Sequence, residues 1–177
     1  MKLVILDRDG TINHDSDQYI KSPTEWKPIK GSLEAIARLS QDGWHVVVAT
    51  NQSGLSRGLF DMATLNAIHE TLHRAVHQAG GRIDAIFCCP HAGESDCECR
   101  KPKPGMLLEI AKRMNVALDG VPVVGDSLRD LQAAAAAGAR PVLVLTGKGR
   151  KTRDAGGLPA GTAVFPDLAA FAAQQTP

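Results

Sequence analysis

The chain has 177 residues, with 20 Lys and Arg against 19 Asp and Glu; this length fits one domain spanning 1–177 and leaves no room for a second large lobe. A formal net charge of +1 provides no global field to draw nucleic acid or an acidic membrane surface, so recognition has to be local. No apolar run approaches a membrane span and the N-terminus lacks the pattern of a secretory signal, so a cytoplasmic location without a membrane partner is expected.

The first strand is KLVIL, and it runs into Asp7-Arg8-Asp9-Gly10-Thr11. Side chains alternate along an extended chain, so Asp7 and Asp9 share a face, and Gly10 permits a sharp turn beneath them. Asn13 to Lys30 is polar, punctuated by proline and reads as irregular. Ser32 then caps a helix carrying Leu33, Ile36 and Leu39 that stops near Gly43. HVVVA is the second strand and delivers Thr50 and Asn51. Asp61 caps a longer helix with Leu65, Ile68, Leu72 and Val76, ended by Gly80-Gly81.

On that helix His69, His73 and His77 recur at every fourth position. No neighbouring acid or cysteine completes a ligand set, so a solvated or subunit-contact face is expected there. IDAIFCC is the third strand and leads into a cysteine cluster. Helices begin near Pro104 and Ser127, with the VPVVG strand between them delivering Asp126. PVLVL is a fifth strand, and Lys148 to Gly161 reads as a basic, Gly-rich solvated loop before a final short helix.

The apolar runs are short and continuous, as strands buried on both faces should be. Their alternation with helices specifies an α/β fold, a Rossmann-like parallel sheet with helices on both faces. Ligands of such sheets bind beyond the carboxyl ends of the strands, where Asp7, Asp9, Thr50, Asn51 and Asp126 all lie.

Those residues point to phosphate chemistry. A phosphate dianion 4 Å from a carboxylate is repelled by roughly 8 kcal/mol at an effective dielectric near 20. A divalent cation shared by Asp7, the backbone of Asp9 and Asp126 offsets that repulsion, and oxygen ligands favour Mg2+. Thr50 and Asn51 offer donors to phosphoryl oxygens, and Arg100 and Lys101 add two cations from the connection after the third strand. Asp130, a few residues into its helix, reads as a supporting group.

Cys89, His91, Cys97 and Cys99 form C-x-H and C-x-C, which supply three thiolates and an imidazole for tetrahedral Zn2+. Four protein ligands leave no position for water, so the ion would staple the loop of about 88–100 and do no hydrolysis. Cys88 points to the opposite face of its strand and stays outside the set.

DRDGT, TNQSG, Lys101 and VGDSLRD resemble the four motifs of the haloacid dehalogenase superfamily of phosphohydrolases, in order and over nearly the whole chain. The resemblance implies that Asp7 is the nucleophile of an aspartyl-phosphate, that Asp9 is the general acid and base, and that Thr50 and Lys101 stabilise the transferring phosphoryl group. With CPH, CxC and RKPKPGM added, the chain is similar to the heptose-bisphosphate phosphatases, a magnesium-dependent, zinc-stapled, capless family. That family removes the C7 phosphate of a sugar bisphosphate and feeds ADP-heptose and lipopolysaccharide core synthesis.

By this similarity the substrate is contacted by Asp15, Ser16, Asp17, Gln18 and Tyr19, by Thr50, Asn51, Gln52 and Ser53, and by Arg100 and Lys101. Two features depart from the pattern: the zinc loop is shorter than in some members, and Ser127 follows Asp126 where some carry lysine. The alternatives are a histidinol-phosphate phosphatase, which shares these motifs, and a phosphate-binding or phospho-acceptor regulatory module, which has no need of Asp9. A monomer with a small-molecule partner and no nucleic-acid partner is expected.

Overall fold

The computed structural model describes residues 1–177. Six strands form one sheet, all parallel, in the order β3-β2-β1-β4-β5-β6. They are β1 (Lys2–Leu6), β2 (Trp44–Asn51), β3 (Ala85–Cys89), β4 (Pro122–Gly125), β5 (Arg140–Val144) and β6 (Ala163–Phe165). The helices are α1 (Ser32–Gln41), α2 (Met62–Gln78), α3 (Gly105–Met114), α4 (Leu128–Ala136), α5 (Gly149–Ala155) and α6 (Leu168–Gln175). The α/β expectation therefore holds. The order reverses between β1 and β4, and this switch point opens the crevice where open parallel sheets bind ligands.

Strand alternation divides the core in two. Val4 and Leu6 of β1, with Val46 and Val48 of β2, pack beneath Ile36 and Leu39 of α1, Ile68 and Leu72 of α2, and Phe171 of α6. Leu3 and Ile5, with Val47 and Ala49, pack on the other face beneath Leu107 and Ile110 of α3 and Ala133 and Ala134 of α4. Small alanines let α4 lie close on the sheet, which brings its N-terminus, with Ser127 at the cap, up to the end of β1.

Three local readings are corrected. The cap of α1 is Gly31 at φ 87°, not Ser32; the Ser32 hydroxyl lies in the first turn and donates to the Thr11 carbonyl at 2.9 Å, tying the helix to the turn after β1. The Lys148–Gly161 stretch is not all loop, since it contains α5. That helix has almost no apolar pattern and is started by Asp126, which accepts from the Lys148 N–H through Oδ2 (2.8 Å) and from the Thr152 hydroxyl through its carbonyl (2.9 Å). A sixth strand, three residues long, pairs with β5 at the sheet edge.

Candidate active site

Lys101 is the centre of the site. It comes from the connection before α3 and is 3% exposed. Its ammonium donates to Asp7 Oδ1 at 2.8 Å and to the Ala49 carbonyl at 2.8 Å. It also stands 2.7 Å from Asp130 Oδ1, an ion contact without the alignment of a hydrogen bond. Asn51 holds the Lys101 backbone at two points, accepting from its N–H and donating to its carbonyl, each at 3.1 Å. Asp130 is also the reciprocal partner of Ser127 in a capping box, with Ser127 N and Oγ at 3.1 and 2.8 Å from Oδ2.

The carboxylates of Asp7, Asp126 and Asp130 converge, each with an oxygen within 4.8 Å of the others. Burial and then the charge of Asp130 push Asp7 up to about 7 against the pull of Lys101. Burial and then Asp7 push Asp126 up to about 8. Burial works to raise Asp130 as well, but Lys101 outweighs it and keeps that acid below its usual range. Two acids that resist ionisation side by side are what a divalent cation relieves, so this oxygen set fits Mg2+. Glycine is required around Asp126: a Cβ at Gly10 or Gly147 would run into its Oδ2.

Asp9 stands outside that cluster. Oδ1 accepts from Arg8 Nε at 2.8 Å and Asn13 Nδ2 at 3.0 Å, while Oδ2 accepts from Gln52 Nε2 at 3.3 Å. Burial would raise this acid, but Arg8 and these hydrogen bonds hold it below the usual carboxylate range. Gln52 also donates to Thr50 Oγ1 at 2.9 Å, joining the second strand's end to the first.

Cys89, His91, Cys97 and Cys99 form a second cluster with ligand atoms within 4.8 Å of one another. Tetrahedral zinc with bonds of about 2.3 Å to sulfur has edges near 3.8 Å. Cys89 Sγ to Cys97 Sγ is 3.8 Å, Cys89 Sγ to His91 Nδ1 is 3.6 Å and Cys99 Sγ to His91 Nδ1 is 3.5 Å; the Cys89–Cys99 edge is shorter, at 2.7 Å. Burial and then Cys89 push the Cys99 thiol up to about 12, so a cation is needed before all three sulfurs can be thiolates. The donor set fits Zn2+. Cys88 stays outside it, as expected.

The cluster is wired to the site. Cys89 pairs with Asn51 across β2 and β3, and its carbonyl accepts from the Gln52 N–H at 2.8 Å. Arg100 Nη1 donates to the His91 carbonyl at 3.2 Å, and Lys103 Nζ to the Cys97 carbonyl at 2.9 Å.

Sequence comparison bears directly on this arrangement. Residues 98–171 match the HAD-hydrolase-like family model. The D-glycero-beta-D-manno-heptose-1,7-bisphosphate 7-phosphatase of Bordetella bronchiseptica is 66% identical over 174 residues, 98% of this chain and 97% of that one. The protein of the same name from Pseudomonas putida is 56% identical over 172 residues, covering 97% and 98% of the two chains. The chain belongs to the heptose-bisphosphate phosphatase family. A crystal structure of the B. bronchiseptica D,D-heptose 1,7-bisphosphate phosphatase, complexed with magnesium and phosphate, matches with a TM-score of 0.98 at 65% identity, over 99% of this chain and 98% of that one.

For a member of this family the cleft at the switch point is the relevant space. It measures about 260 Å³ and is lined mainly by polar and charged residues. Asp15, Ser16, Asp17 and Tyr19 line it, as do Thr50, Asn51, Gln52 and Ser53, and Arg100 and Lys101. Gln18 does not. It lines an adjoining depression with His14 and Glu25, next to the left-handed turn at Tyr19 (φ 67°).

Arg57, Arg129 and Lys148 also line the cleft, beyond the residues that the sequence motifs indicate. Arg129 was detectable, standing three residues past Asp126 in the first turn of a helix aimed at the site. Lys148 reaches Asp15 Oδ2 at 3.4 Å across the mouth, so the basic run it begins is not simply solvated. The histidine row is corrected in part: His73 and His77 are exposed, whereas His69 is turned inward onto Arg8 at 3.1 Å.

Proposed function

We propose that this chain is a magnesium-dependent phosphomonoester hydrolase that removes the C7 phosphate of D-glycero-D-manno-heptose 1,7-bisphosphate and leaves the anomeric phosphate in place. The observation that carries the reading is the convergence of Asp7, Asp126, Asp130 and Lys101 beside Asp9 at the switch point. Identity of 66% with a heptose-bisphosphate 7-phosphatase along almost the full length of both chains supports the substrate class, and the β configuration in the name of that relative's substrate supports a preference for the β anomer.

In this reading the Asp7 carboxylate, the Asp9 backbone and Asp126 hold the cation. Magnesium, when bound, supplies charge that screens phosphate from the acids. An Asp7 oxygen attacks the C7 phosphorus, the bond from phosphorus to the sugar oxygen breaks, and Asp9, which takes up a proton when the negative charge of the bound phosphate raises it from its low resting range, gives that proton to the departing alkoxide. Asp9, now ionised, takes a proton from water; the water oxygen attacks the aspartyl-phosphate, and inorganic phosphate leaves with Asp7 restored. Lys101 and the Thr50 hydroxyl stabilise the phosphoryl oxygens in both steps. The Cys89, His91, Cys97 and Cys99 site holds structural zinc and thereby presents Arg100 and Lys101 to the cleft. Arg57, Arg100 and Lys148 surround it with positive charge suited to an anionic sugar.

Phosphate release from each anomer of heptose 1,7-bisphosphate, and from histidinol phosphate, tests this directly. Magnesium-dependent release of one phosphate per heptose, with Asp7→Asn inactive, is the expected result. Release from histidinol phosphate alone would overturn the substrate assignment, and release from none of the three would overturn hydrolysis.

A further inference from the structure

Arg8 lies between Asp7 and Asp9, and strand alternation sends its side chain to the face that carries Val4 and Leu6 against α2. It is wholly buried. A guanidinium taken out of water has to be held by partners, and its side chain has two. Nε donates to Asp9 Oδ1 at 2.8 Å, and Nη1 donates to His69 Nε2 at 3.1 Å. Nη2 is buried with no partner. His69 is thus the only group that fixes the far end of the guanidinium.

His69 is suited to accept that hydrogen bond. Burial, followed by the charge of Arg8, pushes it down to about 4, so near pH 7 the ring is neutral, with its proton on Nδ1 and Nε2 free as the acceptor. Its backbone is held by the core residues Leu65, Ile68 and Leu72 of the same helix.

We propose that His69 is a positioning residue for phosphoryl transfer, fixing Arg8 so that the guanidinium orients the Asp9 carboxylate. The inference rests on the reading of Asp9 as general acid and base. Arg8 and Asn13 occupy Oδ1, and Oδ2 carries only the longer contact with Gln52, so Oδ2 is the oxygen that exchanges the proton. Without His69 the guanidinium pivots about its Nε contact and Oδ2 loses its aim.

The test compares wild type, His69→Leu, His69→Gln and Asp9→Asn on heptose 1,7-bisphosphate and on p-nitrophenyl phosphate with saturating magnesium. An alkoxide needs a proton to depart and nitrophenolate does not, so kcat/KM separates loss of the acid from general damage. His69→Leu is expected to lose about ten- to hundredfold on the heptose ester and less than about threefold on the aryl ester, the pattern of Asp9→Asn. His69→Gln, which keeps an acceptor in place, recovers most of the loss. Equal losses on both esters, an unaffected Leu variant, or a deficit that Gln does not reduce would each overturn the proposal. A wild type inactive on heptose bisphosphate would overturn the functional reading and this inference together, whereas an active wild type with indifferent His69 variants overturns the inference alone.

Discussion

Lys101 Nζ lies 2.8 Å from Asp7 Oδ1, and the same nitrogen touches Asp130 2.7 Å away on its other side. One ammonium thus separates two buried acids, and burial followed by the charge of Asp130 already raises Asp7. Removing it leaves buried charge unmatched, a change that typically costs about 3–5 kcal/mol. Lys101→Met is expected to lower unfolding stability in urea by that order and to reduce kcat by about 10²–10³-fold, the loss of one preorganised donor to the phosphoryl group. Unchanged stability would mean that Asp7 and Asp130 tolerate each other without the lysine.

Gly147 presents a different kind of dependence. Its φ is 53°, and a Cβ there would collide with Asp126 Oδ2 and come within 2.6 Å of Gly10 Cα. Gly147→Ala is expected to displace Asp126 and weaken magnesium binding by about tenfold or more in a calorimetric titration, equivalent to the 1–3 kcal/mol of such strain. Gly120 is the control. It also has positive φ, 74°, but nothing stands within 4 Å of its Cβ position, so Gly120→Ala should lose some stability and leave magnesium affinity intact.

Much of this site was legible because each part sits at the end of a strand or the start of a helix, where apolar runs and caps mark the chain. Asp7, Thr50 and Asp126 follow KLVIL, HVVVA and VPVVG directly, and the structure brings them together. What escaped lies where tertiary contacts decide. The helix at Gly149 has no apolar stripe and is started by a carboxylate 23 positions earlier in the chain, Asp126, which no local pattern displays. His69 looks like one member of a surface row; its inward turn is set by a buried arginine on another element. Gln18 illustrates the same limit: in an irregular segment with a left-handed residue at Tyr19, no periodicity says which side chains face the cleft.

The four ligands around Cys89 predict one zinc per chain by elemental analysis. Stripping the ion leaves thiols that cannot all ionise together and frees the loop from His91 to Lys103, whose contacts run through the His91 and Cys97 carbonyls. Because the loop meets one face of the core only through Cys89, Cys97 and Cys99, while the other face is built without it, the stripped protein should stay folded with a lower Tm. Its KM for heptose bisphosphate should rise by about tenfold or more as Arg100 and Lys101 lose their placement. Zinc-free protein with unaltered kinetics would separate the cluster from the site.

His69 gives the fold an acid-sensitive point that is separable from the carboxylates. Its folded pKa, about 4, lies below the ordinary 6.5 because burial and the Arg8 guanidinium both oppose a charged ring. Below 6.5 the unfolded chain binds a proton that the native state resists, so the contribution of a neutral His69 is fully present above pH 6.5 and is lost as pH falls towards 4. The depression corresponds to at most about 3 kcal/mol. His69→Gln removes this titration while keeping an acceptor for Arg8. Urea unfolding at pH 7 and pH 4.5 should therefore show wild type losing more stability than the Gln variant over that interval, because the acids common to both proteins cancel in the comparison. Equal losses would mean that the ring is already charged, or turned away from Arg8, at neutral pH.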